Sequence, residues 1–194
     1  PNIIKWNIVR FAETLLPIIN HDKDKSLELA QSAINEFDII WNERYYQTML
    51  QKIGIERKDS DLHTLVDELL DLMKRLKLDY TNTFWYLSHD VNLNHNPKNR
   101  TEFKTWVKKW EQVINALGGM KKAQELMNKH NPVFIPRNHL VEQALNEAVS
   151  GNFSSFIKLL DIVSHPYQYQ DNSEKFMEPP HSDFEKGYQT FCGT

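Results

Sequence analysis

The chain has 194 residues, 40% of them hydrophobic and 25% charged, and a formal net charge of -3 at pH 7. That mix is ordinary for a globular chain with a substantial core, and its balance gives no electrostatic reason to seek nucleic acid or an anionic membrane as partner. No run approaches the roughly 20 apolar residues of a spanning helix and no charged-then-apolar leader opens the chain, so a cytoplasmic protein without a membrane partner is expected.

Apolar positions recur every three or four residues along most of the chain. Ile4, Ile8, Phe11, Ala12 and Leu15 mark a first helix, which Pro17 should kink or end. Leu27, Ala30, Ile34, Phe37 and Trp41 mark a second, predicted to run beyond 25 residues until Gly54 stops it. Asp59, Ser60 and Asp61 offer N-cap oxygens to a third helix carrying Leu62, Leu65, Val66, Leu69, Met73 and Leu76 on one face. Asp79 caps a fourth, with Tyr80, Phe84 and Leu87. Phe103, Trp106, Trp110, Val113 and Leu117 mark a fifth, stopped by Gly118 and Gly119, and residues 120 to 129 make a sixth.

Pro132 and Pro136 then push Asn131 and Ile135 out of helical geometry, so an extended connector is predicted. After it, Leu140, Val141, Ala144, Leu145, Ala148 and Val149 define a seventh helix ended by Gly151. Asn152 caps an eighth, through Phe156, Ile157, Leu160 and Val163 to near Pro166, and these two should form a tight hairpin. From Tyr167 on no period is visible, so the tail is either draped over the helices or disordered. The expected fold is all-α, an irregular bundle of about eight helices over residues 1–165 with an irregular tail over 166–194. The 6 glycines are too dispersed for a phosphate cradle, and no kinase-like constellation of Gly-rich loop, strand lysine and metal-binding Asp/Asn is recognisable.

Several segments carry a family pattern in a fixed order: WNIVRFAETLLPII (6–19), Met49 with KIGI (52–55), DYTNTF (79–84), NPVFIPRNHL (131–140), and a cysteine third from the end in FCGT. Together they resemble the selenoprotein O family, which includes the bacterial YdiU proteins; the sequence departs from the pattern at Trp85 and in the tail from Tyr167 to Gln189. The resemblance implies a parent with a kinase-like fold that transfers AMP from ATP to hydroxyl groups of protein substrates with magnesium or manganese. It also implies that the nucleotide and catalytic motifs lie upstream of the Trp-Asn pattern. A chain opening at Pro1 without an initiator methionine is therefore expected to be a C-terminal fragment, inactive alone, that buttresses the missing N-terminal kinase-like lobe. No catalytic, cofactor-binding or metal-binding residue matches here.

Arg137, Asn138 and His139 form the best polar cluster. The planar fork of Arg137 could clamp an anion; the alternative is that Arg137 docks the missing lobe while Asn138 caps the seventh helix. Asp90, Asn92 and Asn94 alternate like calcium ligands, but the sixth and twelfth loop positions hold His95 and Thr101 where glycine and a bidentate glutamate are required. The pairs His89/His95 and His130/His139 lack the spacing of a helical zinc site. Trp6, Trp41, Trp85, Trp106 and Trp110 read as core. Cys192, the single cysteine, excludes an internal disulfide; the resemblance implies a redox partner elsewhere in the parent. Doubly apolar helix faces such as Leu69, Leu70, Leu72 and Met73 predict self-association of the isolated piece. The competing reading is an independent all-α protein-interaction adaptor without a catalytic role.

Overall fold

The structure, a computed structural model, describes residues 2–57, 59–89 and 100–189. These residues form helices joined by short loops, with no strand among them, so the all-α expectation holds. No helix among them is long and apolar enough to cross a membrane. The chain divides into two compact units, Pro1–Met49 and Leu50–Thr194.

In the first unit α1 (Asn2–Ile19) packs against α2 (Lys23–Asn35). Asp22 caps α2 by accepting from the backbone N–H of Asp24 and Lys25 at 2.9 and 3.1 Å. The buried Ser26 hydroxyl donates to the Leu16 carbonyl at 2.6 Å, supplying a partner to one of the orphan carbonyls that every helix C-terminus leaves. Pro17 does not itself stop α1, which runs on to Ile19; in the last turn it forfeits a single backbone bond, to Glu13. The long second helix predicted from the sequence is in fact two, because α2 ends at Asn35 and α3 (Phe37–Lys52) begins after Glu36. Glu36 stays near helical geometry (φ -73, ψ -19) and its carbonyl still accepts from Ile40 at 3.0 Å, so the apolar row crosses the break unaltered.

The second unit opens on the end of α3. Gly54 (φ 81) donates to Gln51 O at 3.1 Å and Ile55 to Leu50 O at 2.9 Å, a Schellman stop with Ile55 and Leu50 both buried. A 3-10 turn at Ser60–Leu62, capped by Asp59, leads into α4 (His63–Leu76). Asp59, one of the three expected caps, thus serves the 3-10 turn, whereas α4 itself follows Leu62 with no side-chain cap bond; α4 buries the predicted Leu65, Val66, Leu69 and Met73 and also Leu72, while Leu62 and Leu76 are half-buried. Lys77 closes α4 in the left-handed region at φ 51. A left-handed residue with a Cβ costs roughly 1–2 kcal/mol; Lys77→Gly is expected to stabilise the chain by about 1 kcal/mol, read from the urea midpoint.

Helix α5 (Tyr80–Ser88) is buried on all sides from Asn82 to Ser88, which explains its weak amphipathic pattern. It packs against α7 (Met120–His130) and shares an apolar cluster with α8 (Asn138–Val149) and α9 (Ser154–Ser164), while α6 (Thr101–Ala116) packs on α4 and α7. Trp106 and Trp110 of α6 are buried and parallel, 6.0 Å apart, and their indole N–H groups donate to Leu65 O and Ile53 O at 2.9 and 2.7 Å. The core reading thus holds for both, and for Trp85, whereas Trp6 is 57% exposed. Helices α8 and α9 pack as the expected hairpin, with Asn152 accepting from Ser154 N–H at 3.1 Å.

Beyond α9 the described part of the tail is draped over the helices. Phe176 and Met177 are buried in one apolar cluster with Trp85, Tyr86, Phe134 and Ile162. Tyr169 stacks on Trp85 at 5.6 Å and donates to Glu174 at 2.6 Å, a bond to a carboxylate that pushes its phenol up to about 12. A last short helix, α10 (Ser182–Gly187), follows.

Candidate functional site

The polar cluster picked out by the sequence is assembled by the proline connector. Asn131 is extended (φ -120, ψ 103), as a residue before proline must be, and its side-chain amide donates to Lys52 O at 2.8 Å. Val133 and Phe134 both donate to the carbonyl of Pro166, at 2.7 and 3.2 Å, pinning the connector against the end of α9. The chain then reaches Arg137, whose extended backbone (φ -71, ψ 131) occupies the N-cap position of α8.

The Arg137 side chain is turned inward. Its two terminal nitrogens bond the carboxylate of Asp79 at 2.8 and 3.0 Å, and one of them also reaches Asn82 Oδ1 at 3.1 Å. Arg137 is 5% exposed and Asp79 21%. Asp79 simultaneously caps α5 by accepting from Asn82 N–H at 2.8 Å, and the Asn82 side-chain amide donates to Met177 O at 2.8 Å. One guanidinium thereby ties the connector to the start of α5, and through Asn82 to the tail. Fork-on-fork pairing of this kind fixes direction as well as adding energy. Of the Arg137 nitrogens Nε alone is buried without a partner, so the fork that could have clamped an external anion is already filled by this chain's own carboxylate.

Asn138 does not cap α8. It is already the first helical residue, it is exposed, and the helix has no side-chain cap bond, because the extended connector puts Arg137 in the capping position. His139 is half-buried, packs edge-on to Phe184 at 5.9 Å, and buries an unpartnered Nδ1. Burial, then the charges of Arg137 and His181, pull its pKa below the ordinary value, against a smaller opposing pull from Glu178. The native state therefore takes up a proton less readily than the unfolded chain, and stability falls as pH drops below about 6.5. His139→Gln is expected to flatten that fall, measured as urea midpoints between pH 7 and 5. Burial, followed by the Asp79 charge, raises the Tyr86 phenol, with Arg137 opposing.

Among the described residues the other candidates are not gathered into a site. Cys192, Asp90, Asn92, Asn94 and His95 lie outside the described residues, and Thr101 begins α6. His89 stacks on Trp85 at 4.4 Å and its Nδ1 sits 2.8 Å from the Ser88 hydroxyl. Among the described residues no group of three or more His, Cys, Asp or Glu is placed to hold a metal. The sequence reading missed the Asp79–Arg137 pair: both residues were singled out, but separately, and nothing local links positions 58 apart.

Comparison with known proteins places this architecture. A family model described as "Protein adenylyltransferase SelO" matches residues 1–164. The chain is 37% identical over 196 residues to the protein nucleotidyltransferase YdiU of Bacillus cereus (strain B4264), and 39% identical over 196 residues to that of Pelagibacter ubique (strain HTCC1062). Each match covers 100% of this chain and 40% of the relative, so the chain spans well under half the length of these curated relatives. Four of the segments that carried the resemblance, from the Trp-Asn start to the proline connector, fall within residues 1–164 and FCGT lies beyond them, and the chain belongs to the SelO protein adenylyltransferase family.

Proposed function

We propose that these residues are the C-terminal helical portion of a protein adenylyltransferase whose whole chain transfers AMP from ATP to protein hydroxyl groups, with magnesium or manganese. In this reading the portion has no catalytic residue of its own and buttresses a kinase-like catalytic lobe supplied by the rest of the parent chain. The observation that carries it is the fate of Arg137: the best candidate ligand-binding cation is consumed in an internal pair with Asp79 and Asn82. The family match over two fifths of the relatives' length supports the larger parent.

ATP and the metal belong, in this proposal, to the parent, as does the cytoplasmic location. Cys192 is proposed as a redox-sensitive thiol that pairs with a cysteine outside this chain. The test is transfer of labelled AMP from ATP to protein, comparing the full-length chain with residues 1–194 alone, in magnesium and in manganese. The full-length chain should label protein and the 194-residue piece should not. Labelling by the piece would overturn the scaffold role, and silence of the full-length chain in both metals would overturn the parent activity.

A further inference from the structure

The first unit leaves uncovered an apolar groove. More than half of the large apolar side chains exposed among the described residues lie in Pro1–Met49, a quarter of the chain, including Phe11 at 63% and Ile40 at 52%. Between α1, α2 and the start of α3 lies a groove of about 610 Å³, walled by Ile8, Phe11 and Leu15 on one side and Leu29, Ala33, Phe37 and Ile40 on the other. Arg44 is the only charged residue in the lining. The unit's own buried residues amount to Ser26, Ala30, Ile34 and Met49, too few to hold 49 residues folded without further cover.

Shape and chemistry select the occupant. Both walls are rows of helix residues three or four apart, the geometry that receives the apolar stripe of another helix. A second copy is a poor fit: a two-fold contact sets the same patch against itself, and two concave grooves meet at their rims, leaving their floors bare. The family's chain, by contrast, extends well beyond this part, which spans 40% of the relatives. We propose that the groove seats an amphipathic helix from the segment of the family chain outside these 194 residues, so that the first unit is a contact surface for the rest of the protein. This inference builds on the reading of the chain as part of a larger adenylyltransferase.

The experiment uses the full-length chain with the photo-reactive residue p-benzoylphenylalanine in place of Ile40 or, separately, Phe11, and in place of Lys23 as an off-groove control; cross-linked peptides are mapped by mass spectrometry after irradiation. The groove positions, and not the control, should cross-link within one chain to apolar residues of a helix outside residues 1–194. Cross-links only to a second copy, seen as a covalent dimer, only to a separate protein, or at neither groove position would overturn the assignment. AMP transfer is assayed on the same preparations of unsubstituted protein. No transfer with the internal cross-link intact sinks the catalytic reading and keeps the groove; transfer without the cross-link does the reverse.

Discussion

Arg137→Ala lowers the unfolding free energy of the chain by about 3 kcal/mol in urea titration, the largest single-residue effect expected from its polar contacts. Removing the guanidinium leaves the Asp79 carboxylate in a mostly buried position with its cation gone, and severs the tie between the connector, α5 and Asn82. Partial exposure of Asp79 allows water to reach it, which sets the effect at the low end of the range for broken buried pairs. Arg137→Lys restores less than half of the loss, because an ammonium cannot make two parallel bonds to one carboxylate. Asp79→Asn is a useful partner: it keeps a capping oxygen for α5 while removing the charge. A double-mutant cycle between the two positions should show coupling well beyond the few tenths of a kcal/mol found for independent sites. Additive effects would mean that Arg137 acts through packing alone.

Gly54→Ala should cost about 2–4 kcal/mol, from two separable causes. Gly54 sits at φ 81, where a Cβ is strained in any surroundings, and that Cβ would lie 2.7 Å from the Ala123 Cβ and 3.0 Å from its Cα. The glycine therefore lets α7 approach the end of α3 as well as ending the helix. Ala123→Gly removes the nearest clashing atom, so Gly54→Ala in the Ala123→Gly background should lose part of the steric penalty and keep the conformational one. Equal penalties in both backgrounds would show that the close approach of α7 is relaxed at no cost.

Elements whose signals are local were legible in the sequence. Asp79 before Tyr80, Asn152 before Ser154 and Gly54 after α3 each act through hydrogen bonds or dihedrals within a few residues, and helix-periodic rows located α4 and α6. Two kinds of feature were not legible. The break at Glu36 leaves the periodic row intact, so pattern alone joins α2 to α3. The other kind is long-range: Arg137 with Asp79, and Asn82 with Met177, unite residues whose local sequence explains each of them adequately without the other. Phe176 and Met177 sit in a stretch with no period, yet each buries its side chain against α5 and α9 neighbours such as Trp85 and Ile162. Asn138 shows the reverse case, a good capping residue displaced by one position because the extended connector ends at Arg137.

On the proposed function, these helices support nucleotide chemistry without holding the nucleotide. A thermal-shift titration of the 194-residue chain with ATP and magnesium tests it most directly, since a ligand that binds only the native state adds about 2.7 kcal/mol at one hundred times its dissociation constant. No shift of the 194-residue chain is expected into the millimolar range, while the full-length chain shifts. A saturable, magnesium-dependent shift of the 194-residue chain, abolished by Arg137→Ala, would contradict it.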